Sequence, residues 1–301
     1  MLIVKPELSF REPCVEDAAW MNGLLRESGF RSSEYAFTTL FMWRRFYHNR
    51  IAQIGNTLFI QSQEGNDRFF LLPAGGDMRE NLMLLRDYAH EQGYPLRLFV
   101  TDAAWLPRLE AWFPDGFDTV PMRDEFDYLY AVEDLATLQG KKYHGKRNHI
   151  NSFSQQYQWT YEPITDSNTR DVLEMAGEWC RQKGNCQDEA LHSEKCAIRE
   201  ALAHRKELSL TGGLIRVDGR VAAFTFASPI NSEVADIHVE KALPEYAAAY
   251  AVINREFAAR ELRGYRYINR ENDMGIEGLR RAKKSYQPAV LLEKFLCTER
   301  W

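Results

Sequence analysis

The chain has 301 residues, of which 45% are hydrophobic and 27% charged, with a formal net charge of −5. That length suits two compact domains with a sizeable buried core. The acidic balance excludes a global positive field for nucleic acid, so any basic site must be local. No apolar run reaches the roughly 18 residues of a membrane-spanning helix, and residues 1–9 lack the apolar region and cleavage site of a secretory leader. Five cysteines at irregular spacing read as reduced thiols of a cytoplasmic protein. Cys180 and Cys186, with His192 nearby, match no standard zinc spacing, and no metal is expected.

In chain order, residues 13–47 read as helices. Ser9-x-x-Glu12 has the form of a capping box. Apolar residues recur at helical spacing through Trp20, Leu24 and Leu25. After Gly29 comes a stripe of Phe37, Phe41, Trp43, Phe46 and Tyr47, which reads as core, with a lipid-facing strip as the alternative. The period then changes. Residues 51–54 and 57–61 flank Gly55-Asn56, a hairpin signal, and 68–72 is another strand. Residues 79–92 return to a helix ended by Gly93. Residues 96–100 form a short buried strand, Asp102 caps a helix to residue 113, and 126–130 is a last strand.

The second half repeats this order. Residues 169–183 and 193–205 read as helices. Residues 208–217 and 220–228 form a hairpin around Asp218-Gly219, and 233–239 is a strand. Pro244 opens a long helix to residue 263, ended by Gly264. A strand at 265–269, a short helix at 275–286 and a closing strand at 290–296 follow. With a joint at 133–140, the pattern predicts two domains, 1–135 and 136–301, of α/β class with mixed sheets and helices on both faces.

Two stretches are distinctive. Lys141-Lys142-Tyr143-His144-Gly145-Lys146-Arg147-Asn148-His149 holds six basic or imidazole groups in nine residues. Tyr267-Ile268-Asn269-Arg270-Glu271-Asn272-Asp273-Met274-Gly275 runs from a strand end towards a helix with Arg280, Lys283 and Tyr286. With Phe126-Asp127-Tyr128-Leu129-Tyr130, they resemble the C-terminal acyltransferase domain of the phosphatidylglycerol lysyltransferase family, over nearly the whole chain. The resemblance implies two tandem Gcn5-related acetyltransferase (GNAT) folds. It also implies transfer of an aminoacyl group from aminoacyl-tRNA, or a similar activated donor, to a lipid headgroup or amine acceptor, with peripheral membrane contact.

Acyl transfer from an ester needs a proton acceptor and a stabilised carbonyl oxygen. Asp273 and Glu271 are the candidate catalytic carboxylates. His238 joins them from the strand 233–239, where it alternates with Asp236 and Glu240 on one face; a core-edge histidine is its other reading. Asn269, Arg270, Arg280, Lys283 and Tyr286 are expected to bind substrate, with Arg280 and Lys283 on one helix face suited to a phosphate. Lys141, Lys142, His144, Lys146 and Arg147 are expected to meet tRNA phosphates, or else to form a solvated linker helix. The segment 241–250 has no glycine to cradle a CoA pyrophosphate, and Glu245 would repel one. The turn Pro73-Ala74-Gly75-Gly76-Asp77 has two glycines but carries an opposing carboxylate. Acetyl-CoA is therefore less expected than aminoacyl-tRNA. A CoA-dependent N-acyltransferase and a non-catalytic small-ligand-binding protein remain as alternatives.

Overall fold

The structure, a computed structural model, describes residues 7–182 and 189–301. Cys186 lies outside them, and of His192 only the helical backbone is described.

The first half opens with α1 (Ala18–Ser28) and α2 (Phe37–Met42). Ser9 does not cap α1. A 3-10 turn, Val15–Asp17, precedes it, and the Asp17 carboxylate accepts from the Cys14 amide at 2.8 Å. Arg11 and the Trp20 indole also donate to Asp17, so this carboxylate gathers the local donors. Then come β1 (Arg50–Ile54), β2 (Thr57–Glu64), β3 (Asp67–Leu71), α3 (Met78–Glu91), β4 (Arg97–Val100), α4 (Leu106–Trp112) and β5 (Phe117–Pro121). Asp77 caps α3 by accepting from the Glu80 amide at 2.9 Å, so the turn before it serves the helix. The strand β5 is mostly exposed, so no apolar alternation marks it in the sequence.

The chain continues through β6 (Asp127–Ala131), α5 (Val132–Thr137), α6 (His144–Gln156), β7 (Trp159–Pro163), α7 (Thr169–Gln182) and α8 (Glu189–Ala203). After them come β8 (Thr211–Val217), β9 (Arg220–Pro229), β10 (Val234–Ala242), α9 (Ala249–Arg260), β11 (Tyr267–Asn269), α10 (Glu277–Lys284), β12 (Val290–Leu292) and β13 (Phe295–Glu299). Asp218 and Gly219 both take positive φ, 48° and 81°, as the tight hairpin of β8 and β9 demands. Pro244 starts only a 3-10 turn, Pro244–Tyr246, and α9 begins at Ala249. The expected closing strand is two strands in two different sheets.

The first sheet has the order β1-β2-β3-β4-β13-β5, the second β12-β6-β11-β10-β9-β8-β7. Each contains one parallel pair: β3 with β4 across α3, and β10 with β11 across α9. Beyond each pair lies a strand from the other half. The C-terminal β13 sits between β4 and β5, and β6 sits between β11 and β12. The halves thus exchange strands reciprocally. One apolar core joins the first sheet, α1 and α2 to α7, α8 and one face of the second sheet. A second core lies under α5, α6 and α9 on its other face. Phe37 and Phe41 belong to the shared core, whereas Phe46 and Tyr47 are exposed. Among the described residues, no helix is long and apolar enough to cross a membrane.

The exchange is pinned by charge. Asp127, which opens β6, and Lys294, which precedes β13, are both fully buried and 2.8 Å apart. Lys294 also reaches Glu34 at 2.6 Å, and Asp127 accepts from the Ser33 amide at 2.9 Å and the Asn269 side chain at 2.8 Å. Burial opposes the charged lysine, but the two carboxylates hold its pKa above the usual value.

Candidate active site at the parting of β10 and β11

The strands β10 and β11 pair only from Val234/Tyr267 to Asp236/Asn269. Beyond that register β10 continues and β11 ends, so the strands part. A β-bulge between Ile237 and Val239 falls at His238. Bulges re-aim side chains, and here Asp236 and His238 face the first half while Glu240 does not. Thr39 of α2 lies 3.2 Å from Asp236 Oδ2 and 3.3 Å from His238 Nδ1. Glu240 instead contacts Asn254 of α9 and Arg270. Strict alternation placed all three on one face; the extra residue of the bulge removes Glu240 from it.

Glu271 completes the group. Its backbone is left-handed, with φ of 54°, a conformation uncommon for residues with a Cβ and concentrated at functional sites. The Asn269 side chain fixes it by accepting from the Glu271 amide at 2.7 Å. Lys283 fixes it further by donating to the carbonyls of Arg270 and Glu271. Glu271 Oε1 lies 3.9 Å from His238 Nδ1, and Asp236 Oδ2 lies 3.4 Å from it. The far ring nitrogen, Nε2, is 2.8 Å from Ser228 Oγ. Burial, with the neighbouring carboxylates, pushes Asp236 well above the carboxylate range. Burial pushes Glu271 up to about 8. Burial also lowers His238 to about 3, which keeps the imidazole neutral. Asp236, His238 and Glu271 are the described residues whose ligand atoms are grouped closely enough to hold a metal ion.

The remaining predicted residues separate into two other groups. Asp273 is fully buried and saturated with donors: Arg280 at 2.9 and 2.8 Å, Tyr128 at 2.6 Å, Arg123 at 3.2 Å and the Gly275 amide at 3.0 Å. Burial pushes its pKa up, but these bonds, led by Arg280, pull it well below the usual carboxylate range. A carboxylate held this way suits a clamp on the loop rather than a proton acceptor. Arg280 is spent on Asp273 and Asp124, and Lys283 on backbone carbonyls, so the two do not form the expected phosphate-binding face. Asn269 is also fully engaged, by Asp127, the Arg31 carbonyl and the Glu271 amide. Asp273→Asn is expected to lower the melting temperature at pH 7. A carboxylate with a depressed folded pKa contributes stability above its unfolded value of about 3.9 and loses it as the pH falls further. The deficit between wild type and variant should therefore shrink below pH 4, as melts from pH 7 to 3 would show.

The second group is basic and aromatic. Arg270 pairs with Glu240 at 2.7 Å and lies over the Tyr286 and Tyr130 rings. Lys146 of α6 sits 3.8 Å over the same Tyr286 ring, and burial, then Arg270, pull it down to about 8. The two distinctive sequence stretches thus meet at Tyr286. Of the other expected tRNA contacts, Lys142 pairs with Asp134 at 3.0 Å, and Arg147 donates to the carbonyls of Leu138 and Gly140. Lys141 and His144 are exposed. Thr39, Ser228, Glu34 and Lys294 were not singled out from sequence: Thr39, Glu34 and Lys294 come together through the packing of one half on the other, and Ser228 meets His238 from the neighbouring strand β9. A groove of about 660 Å³ between α7 and the β8–β9 turn contains none of these residues, and its Arg216 and Arg220 are tied to carboxylates.

Residues 25–298 match the family described as phosphatidylglycerol lysyltransferase, C-terminal. A crystal structure of a conserved protein of unknown function from Bacteroides thetaiotaomicron superimposes with a TM-score of 0.93 at 37% identity, over 98% of this chain and all of that one. The structure of L-PGS from Bacillus licheniformis superimposes at 0.67 and 16% identity, over 96% of this chain and 92% of that one. The two-sheet plan is that of tandem GNAT proteins. An uncharacterized protein of Mycoplasmoides gallisepticum is 24% identical over 189 residues, 62% of this chain and 60% of that protein. The chain thus spans about three fifths of the length of the curated relative it matches.

Proposed function

Because the chain belongs to the phosphatidylglycerol lysyltransferase C-terminal family, we propose that it transfers an aminoacyl group from aminoacyl-tRNA to a hydroxyl or amine acceptor. One observation carries this reading. Where β10 and β11 part, Glu271 presents a carboxylate with no Lys or Arg salt-bridge partner among the described residues, beside the neutral His238. In its ionised form Glu271 can take the proton of an attacking hydroxyl or amine and return it to the ribose oxygen of the tRNA as the ester bond breaks. No enzyme nucleophile is needed when the acceptor attacks directly. Lys146, over the Tyr286 ring, offers positive charge for a phosphate of the donor, beside an Arg270 already paired with Glu240.

The CoA-dependent alternative has less support. Ahead of α9, the Tyr246 ring packs on Tyr157 at 5.2 Å, and Glu245 pairs with Arg220 at 3.1 Å. No glycine opens a cradle of amides there. Binding of charged tRNA and of acetyl-CoA, each at two salt concentrations, tests the choice. The expected result is salt-sensitive tRNA binding that weakens in Lys141→Ala and Lys146→Ala, with no thermal stabilisation by acetyl-CoA. Stabilisation by acetyl-CoA without tRNA binding would overturn the reading.

A further inference from the structure

Asp236, His238 and Glu271 each offer one ligand atom, and the three atoms lie within 4.8 Å of one another. His238 Nδ1 is 3.4 Å from Asp236 Oδ2 and 3.9 Å from Glu271 Oε1. Donors bonded to one zinc-sized cation at about 2.0–2.2 Å stand roughly 3.3–3.6 Å apart at tetrahedral angles. Thr39 Oγ1, at 3.2 and 3.3 Å from the aspartate oxygen and the imidazole nitrogen, stands near a fourth corner.

The surroundings fit as well. Ser228 occupies the far nitrogen of His238, which leaves Nδ1 towards the oxygens; metal-binding imidazoles are oriented by such a second partner. Asp236 is fully buried, and its Oδ1, like Glu271 Oε1, has no hydrogen-bond donor. Buried polar atoms normally have a partner, and a bound cation would supply one to Glu271 Oε1. Lys294, the buried cation of the seam, is already shared by Asp127 and Glu34. The bulge at His238 and the left-handed Glu271 bring the three ligands together from β10 and the loop after β11.

We propose that Asp236, His238 and Glu271 form a mononuclear site for a divalent cation of the zinc class, with Thr39 at its edge. One nitrogen and two or three oxygens select such a borderline ion over calcium or magnesium, which prefer oxygen alone. The cation and a proton compete for Glu271 Oε1. The site does not depend on the transferase reading: zinc binding without transfer would sink that reading alone, and transfer without zinc binding would sink this one alone.

The test uses the full chain after chelator treatment, titrated with Zn²⁺ by calorimetry and with Co²⁺ by visible absorption. One equivalent should bind and raise the melting temperature. The cobalt form should show the bands of a four-coordinate nitrogen and oxygen site. It should lack the thiolate charge-transfer band that the exposed Cys14 would give. Glu271→Gln and Asp236→Asn should each weaken binding by about 100-fold or more. Glu271→Gln alone suffices if the buried Asp236 variant does not fold. Absence of a saturable equivalent, or unchanged affinity in folded Glu271→Gln, would overturn the proposal.

Discussion

Glu271→Gln is expected to lower the rate of acyl transfer by about 10²- to 10⁴-fold, the usual contribution of a positioned proton acceptor, while the fold stays intact. The amide keeps the shape of the carboxylate. The carboxylate itself makes no ion pair with Lys or Arg among the described residues, and its Oε1 is buried without a donor. Burial keeps Glu271 and the neighbouring Asp236 mostly protonated at neutral pH. The amide therefore replaces a neutral acid of the same shape, and stability should hold. The loss should appear in kcat with little change in KM, because Glu271 is assigned to proton transfer and not to holding the donor. The contrast with Asp273 is instructive. Both residues lie on the same loop, yet among the described residues one forms no ion pair with Lys or Arg and the other is saturated by two arginines, a tyrosine and an amide. Neutralising the first should affect rate, and neutralising the second should affect stability.

Lys294→Met is expected to destabilise the whole chain by about 3–5 kcal/mol, the cost of leaving a buried carboxylate without its partner. Asp127 would then sit fully buried between the exchanged strands with only neutral donors left. Because β6 and β13 each complete the sheet of the other half, the loss should not be confined to one half. Chemical denaturation followed by tryptophan fluorescence and by far-UV circular dichroism should give one shifted, coincident transition. Two separated transitions would show that the halves are stabilised independently of this pair. A double variant with Asp127→Leu should recover part of the loss, since replacing both partners by apolar groups removes the unpaired charge.

Much of the fold was legible because its elements obey local rules. Asp218-Gly219 sets a hairpin, Gly93 ends a helix, and Leu82, Leu85 and Ala89 mark the buried face of α3. The exchange of β6 and β13 was not legible. Strand pairing across the halves depends on which edges are free after folding, and no local pattern records that. The closing segment 290–296 looked like one strand, since nothing in Val290-Leu291-Leu292-Glu293-Lys294-Phe295 shows that Lys294 turns inward to meet Asp127.

The site was legible in part. Glu271 and His238, expected from their place beside a strand end, lie near one another, and Arg270, Lys146 and Tyr286 come together. Asp273 and Arg280 are consumed by their ion pair and Lys283 by backbone carbonyls, and such partners are set by side-chain reach in three dimensions. Thr39 and Ser228 carry no signal in sequence. A threonine on an apolar helix and a serine in a buried strand are common, and only the approach of α2 to the bulge and the pairing of β9 with β10 bring them to His238.

The most direct measurement of the central claim is single-turnover consumption of aminoacyl-tRNA by excess protein in the presence of a small amine acceptor, run side by side for wild type and Glu271→Gln. The predicted result is loss of the aminoacyl ester with matching gain of the aminoacylated amine in wild type, slowed at least about 100-fold in the variant. An ester that survives equally with wild type, with the variant and with no protein would contradict the account.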